Sequence, residues 1–142
     1  METRKIESFY PNGNIRVQAT YNGEALDGEF KTFHQNGLVQ QVANYKNDKL
    51  HGDYIVYDEF GDIQVKAHYR EGLRHGTYTV FYPKVNGGGP CEISKYENDL
   101  IEGDKITFYD TGEVMTITSY KLGLPQTYPR HFDKDGNESF RN

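Results

Sequence analysis

Five histidines, one cysteine, scattered serines and many carboxylates are the side chains of this chain that could do chemistry. His51 and His75 are the first candidates, because they stand 24 residues apart and each immediately precedes a glycine. A zinc ion would need their nitrogens about 2 Å away. If two strands separate them, they lie about 9.6 Å apart, at about 4.8 Å per strand. One ion cannot serve both. Asp27 and Glu102 occupy the same place before Gly28 and Gly103, so the position reads as a polar turn slot. His34, His68 and His131 form no spaced set with them. Ser8, Ser94, Ser119 and Ser139 lie in no nucleophile elbow, and Cys91 stands alone, without a disulfide framework or a cysteine-rich metal motif. Gly87-Gly88-Gly89-Pro90 lacks the Lys-Ser/Thr that completes a phosphate loop, and it reads as a widened hairpin turn. As the one insertion, Pro83–Pro90 is a candidate contact loop. The expectation is a chain with no catalytic residues, no metal and no cofactor.

The elements that carry these residues repeat. An aromatic residue recurs at Phe9, Phe33, Tyr57, Phe81, Phe108 and Phe132, in steps of 24, 24, 24, 27 and 24. Four residues later stands Gly13, Gly37, Gly61, Gly112 or Gly136; in the fourth unit an insertion moves the glycine to Gly88. Eight residues beyond the glycine comes Tyr21, Tyr45, Tyr69, Tyr96 or Tyr120. Seven further on stands Gly28, Gly52, Gly76 or Gly103, with Thr127 breaking the rule in the last unit. A fixed period of this length marks stacked supersecondary units. Each unit reads as strand, turn, strand, turn. Asn12-Gly13, Asn22-Gly23 and Asn36-Gly37 are Asn-Gly hairpin signals, in which both residues tolerate positive φ. No helical period survives this punctuation. The expected fold is all-β, a single-layer curved antiparallel sheet of repeated β-hairpins. It holds ten to eleven strands in one domain over residues 1–142, with five to six repeats and a cap at each end. Pro125 and Pro129 suit a C-terminal edge, and the charged run Glu2-Thr3-Arg4-Lys5 precedes the first strand and discourages edge pairing.

Four stretches carry the repeat most fully: YNGEALDGEFKTFHQNG (21–37), YKNDKLHGDYIVYDEFG (45–61), YREGLRHGTYTVFYPKVNGG (69–88) and YENDLIEGDKITFYDTG (96–112). They resemble MORN repeats, in the variant found in the YwqK-type antitoxin family. Gly23 sits one place early, and Lys105 replaces an aromatic. The resemblance implies a hairpin sheet and a binding role rather than a catalytic one. Its specific form is an antitoxin or immunity protein that neutralises a toxin by direct binding. The alternative it implies is a scaffold or membrane-associated module. Better-known MORN proteins carry Gly-x-Gly where this chain has Gly28-Glu29-Phe30, Gly52-Asp53-Tyr54 and Gly76-Thr77-Tyr78, a departure that weakens lipid binding as an inference.

Period-two alternation sorts each longer strand onto two faces. One face carries the tyrosine and a small residue two places before it (Ala19, Ala43, Ala67 or Thr118). The small residue is expected to make room for a ring, with ring contacts joining neighbouring repeats. The other face is polar early in the chain and turns apolar later, with Ile93, Met115 and Ile117. A single-layer sheet has nothing to cover them, unless segment 124–142 folds across. Lys66, His68, Ile93, Lys95, Met115 and Ile117 are therefore the candidate partner-binding residues.

Composition narrows the partner. Only 35% of the residues are apolar, so 12 Tyr and 8 Phe must carry the burial. The net charge of −5 argues against a nucleic-acid binder that neutralises phosphate, and against anionic membranes. It suits a basic protein partner, such as a toxin. The N-terminus METRKIESF lacks an apolar signal region, and the expected location is cytoplasmic. Oligomeric state is left open.

Overall fold

The computed structural model describes residues 2–140. Met1, Arg141 and Asn142, which the expected domain and C-terminal segment include, lie outside the described residues. The chain forms two compact units, one up to Leu73 and one from Arg74. Both are antiparallel β-structure, and neither closes into a barrel.

In unit 1, β1 (Thr3–Phe9), β2 (Ile15–Asn22), β3 (Ala25–Phe33), β4 (Val39–Lys46), β6 (Gly52–Tyr57) and β7 (Ile63–Arg70) lie side by side in chain order. The two-residue β5 (Lys49–Leu50) pairs β4, and β8 (Leu73–Arg74) straddles the division between the units. In unit 2 the order is β9 (Gly76–Phe81), β10 (Pro90–Glu97), β12 (Gly103–Phe108), β13 (Val114–Lys121), β15 (Arg130–Phe132) and β16 (Glu138–Ser139). Here β11 (Leu100–Ile101) pairs β10, and β14 (Leu124–Pro125) pairs β13. The expected ten to eleven strands become sixteen among the described residues, because several lanes are split by a bulge. The bulge falls at the polar slot before the glycine. There the His51 N–H donates to the Asn44 carbonyl (2.8 Å), as Glu102 does to Lys95 (2.8 Å). An extra residue at such a point leaves the ladder and bends the strand.

Three hairpins are held by a size match across their strands. Phe30 lies opposite Ala43, Tyr54 opposite Ala67 and Tyr78 opposite Ser94. In the next position Gly28 lies opposite Tyr45, Gly52 opposite Tyr69 and Gly76 opposite Tyr96. Ring and small residue thus alternate on both strands, and the two rings meet diagonally. Phe30–Tyr45, Tyr54–Tyr69 and Tyr78–Tyr96 are edge-to-face pairs at 5.6, 5.5 and 5.8 Å between centroids. Such a pair contributes about 0.5–1.5 kcal/mol beyond its buried area. The pairs lie within hairpins, not between neighbouring repeats as the sequence suggested. The small residues are the buried centre: Ala43 is 0% and Ser94 2% exposed.

Hydrogen bonds at the strand ends join one repeat to the next. At one end His34 donates from Nε2 to the Tyr57 carbonyl (3.1 Å), and Tyr82 and Tyr109 donate to the carbonyls of Phe108 and Phe132 (2.6 Å each). Asn36 donates to Glu59 one repeat on (2.8 Å). At the other end the Asp48 N–H donates to the Leu26 carbonyl, while the Asp48 carboxylate accepts from the Leu26 N–H (2.7 Å). Asp99 clasps Arg74 in the same way.

Turn chemistry differs from the Asn-Gly expectation. At Asn12-Gly13 and Asn36-Gly37 only the glycine has positive φ (92° and 93°). Each asparagine instead accepts the N–H two residues on and donates to the next turn. Outside the Gly87-Gly88 loop, two consecutive positive φ values occur at Asn47-Asp48, Glu71-Gly72, Asn98-Asp99 and Leu122-Gly123. That pair of conformations defines the tight two-residue hairpin. At the N-terminal edge, Thr3-Arg4-Lys5 does not precede the first strand but forms part of β1.

Candidate protein-docking surface

The residues proposed from sequence fall in both units. In unit 1, Lys66 and His68 are exposed on β7. Lys66 ends a cross-strand row, Lys31–Val42–Ile55–Lys66, that runs over β3, β4, β6 and β7. The row keeps two half-buried apolar residues between two lysines, and Lys31 is held by Glu29 at 3.2 Å.

In unit 2 the matching row is Thr79–Ile93–Ile106–Ile117–Arg130. Three isoleucines stand side by side on β10, β12 and β13. All three are half-buried, as is Met115, while Lys95 is exposed. Ile106 was not singled out from sequence. Its strand is short, and its place was hidden until the register set it between Ile93 and Ile117. Among the described residues the C-terminal segment does not fold across this face. Arg130 and His131 pair with Ile117 and Thr116, so the segment extends the sheet by further lanes. Arg130 is fixed by Glu138 (2.7 Å) and lies 5.1 Å from the centre of the Phe132 ring. A polar rim follows from Asp104, which accepts from Ser119 (2.6 Å).

The remaining chemistry-bearing residues have structural surroundings. His51 accepts the Glu71 N–H at Nδ1 (3.3 Å), and Glu102 accepts the Leu122 N–H (2.7 Å), so the polar slot holds the next turn. Burial pushes the Cys91 thiol up and the neighbouring Glu92 carboxylate adds to this, which disfavours the thiolate a nucleophile would need. Glycines 87–89 close a hairpin over a short 3-10 turn (Lys84–Asn86), with the Tyr82 N–H donating to the Gly89 carbonyl (2.9 Å). A side chain at Gly87 would meet the Asp110 carbonyl at 2.9 Å, so backbone packing demands glycine there. Val85, at the tip of this loop, is 92% exposed. Among the described residues no group of three or more His, Cys, Asp or Glu could hold a metal ion, and no helix is long and apolar enough to cross a membrane.

No curated protein matches the chain. The MORN repeat variant family matches residues 5–22, 26–47 and 50–71, three consecutive segments within unit 1, and the ring, glycine and tyrosine slots of those segments recur in unit 2 at Tyr78, Tyr96, Gly103 and Tyr120. Residues 5–71 are thus similar to MORN-variant repeats, and they fold as successive hairpins.

Proposed function

We propose that this chain is a non-enzymatic protein-binding module that acts in the cytoplasm, and that it docks its partner on the isoleucine row of unit 2. The observation that carries the reading is that row: Ile93, Ile106 and Ile117 stand together on a sheet face with no second layer, beside Met115. Contiguous apolar surface of this kind marks interaction sites. The finer reading is an antitoxin or immunity protein that neutralises a basic toxin by direct binding. The similarity to YwqK-type repeats and the net charge of −5 support it.

The test is calorimetric affinity for the products of adjacent genes, with Ile106→Asp and Met115→Asp beside the unaltered chain. The expected result is a partner bound more tightly than micromolar, a loss of at least tenfold on either substitution, and little change in unfolding temperature. Unfolding of both variants would make the row core and remove the site. Flotation with anionic vesicles at physiological salt would favour a membrane-associated scaffold instead.

A further inference from the structure

The outer edge of β1 invites a different partner. Among the described residues β1 pairs β2 alone, from Thr3 opposite Asn22 to Ser8 opposite Val17. Every residue of β1 but Ser8 is exposed, including Ile6 at 45%. An open edge presents unpaired backbone donors and acceptors to any extended chain, and proteins guard such edges with charge. Here the guard changes sign along the strand: Lys5, Ile6, Glu7. We infer that β1 is a self-association edge, on which a second copy of this chain adds its own β1 antiparallel about a two-fold axis at Ile6.

Charge fixes the register. With the axis at Ile6, Lys5 of each copy faces Glu7 of the other, and the two isoleucines face each other. Parallel pairing in register would set lysine against lysine and glutamate against glutamate. Moving the axis to Lys5 or Glu7 would do the same at its centre. A one-residue slip would turn the second copy over and set its aromatic face beside the opposite face of the first. Ile6 lies opposite Ala19, the place that Phe30 takes opposite Ala43 in the next hairpin. The paired edge thus continues the ring-side face of unit 1 from one copy into the other. A two-fold contact is closed, so it ends at the dimer rather than growing into a filament.

Sedimentation velocity from micromolar to near-millimolar protein tests this. A reversible dimer is expected. Lys5→Glu and Glu7→Lys should each weaken it about tenfold, because the axis makes every substitution count twice and like charges opposite one another repel. The double variant, Lys5→Glu with Glu7→Lys, should restore the original association. Circular dichroism should show all three variants folded, since both side chains are exposed. A monomer throughout the range, a dimer indifferent to either substitution, or a double variant that fails to recover would each overturn the proposal.

Discussion

In unit 1 the residue facing each ring is alanine, at Ala19, Ala43 and Ala67; in unit 2 Ser94 and Thr118 take that place. Unit 1 holds two edge-to-face ring pairs. Unit 2 holds Tyr78–Tyr96, and at its next hairpin Lys105 stands where the ring would be, 3.3 Å from Glu92. The opposite face diverges the other way. Unit 1 flanks its apolar pair with Lys31 and Lys66, whereas unit 2 runs three isoleucines together. Unit 1 therefore keeps the regular packing that a repeat family model matches, and unit 2 relaxes it while gathering apolar surface on its other side. Ring against small residue is a steric requirement and resists change. The far face is under no such requirement and is free to specialise.

The largest test of this contrast lies at the small slot. Ala43 has no exposed surface and faces Phe30, so Ala43→Leu should overpack the hairpin and cost about 1–3 kcal/mol. Urea unfolding, with hydrogen exchange to localise the loss to β3 and β4, checks this. Ser94 is the converse. Its hydroxyl is buried without a hydrogen-bond partner, so Ser94→Ala should stabilise by about 1 kcal/mol. A neutral or destabilising result would mean that the two units differ at this slot for some reason other than packing.

Much of this fold could be read from the residues, because the period is carried by side chains with one steric job each. Tyr45, Gly28 and Ala43 keep phase since a ring needs a gap opposite it. The turn conformations were less legible. Asn36 reads from sequence as half of a tight turn, but its side-chain amide donates to the Glu59 carbonyl in the neighbouring turn, 23 residues away in sequence. Leu122, by contrast, adopts φ 50° with no composition cue. Within the candidate surface, Ile93, Met115 and Ile117 were legible from alternation. Ile106 was not, because its position in the row depends on which residue of β12 faces Ile93. Pairing register is a property of two strands and is not written in either alone.

A smaller effect is expected where unit 2 lost its ring. Lys105 lies opposite Thr118, with Gly103 opposite Tyr120, so the gap for a diagonal ring pair is already built. Lys105→Tyr should recreate that pair and add about 0.5–1 kcal/mol, after loss of the half-buried ion pair with Glu92. Thermal unfolding reads the gain, and Tyr120→Leu in the same background should abolish it. If Lys105→Tyr leaves stability unchanged, the ring pairs of unit 1 contribute little beyond the area they bury.

The smallest effect is acid sensitivity in unit 2. A hydrogen bond from the Arg74 side chain (Nε to Oδ1, 2.6 Å) holds the Asp99 carboxyl below the usual carboxylate range. Arg130 does the same for Glu138, and the Asn137 N–H, chief among several donors, does so for Asp133. Each group has a folded value beneath its unfolded one. The stabilisation is therefore complete above the ordinary carboxylate range and fades as pH falls through the lowered values. Amide exchange at Asp99 should quicken in that window, because its N–H donates to the Arg74 carbonyl and the clasp between Arg74 and the Asn98-Asp99 turn loosens as the carboxylate takes a proton. Asp99→Asn keeps an acceptor oxygen but cannot titrate, so it should flatten the pH dependence at Asp99 while leaving that at Asp133 in place. Equal flattening at both sites would mean that the turns of unit 2 open together, and that each repeat depends on its neighbour rather than on its own clasp.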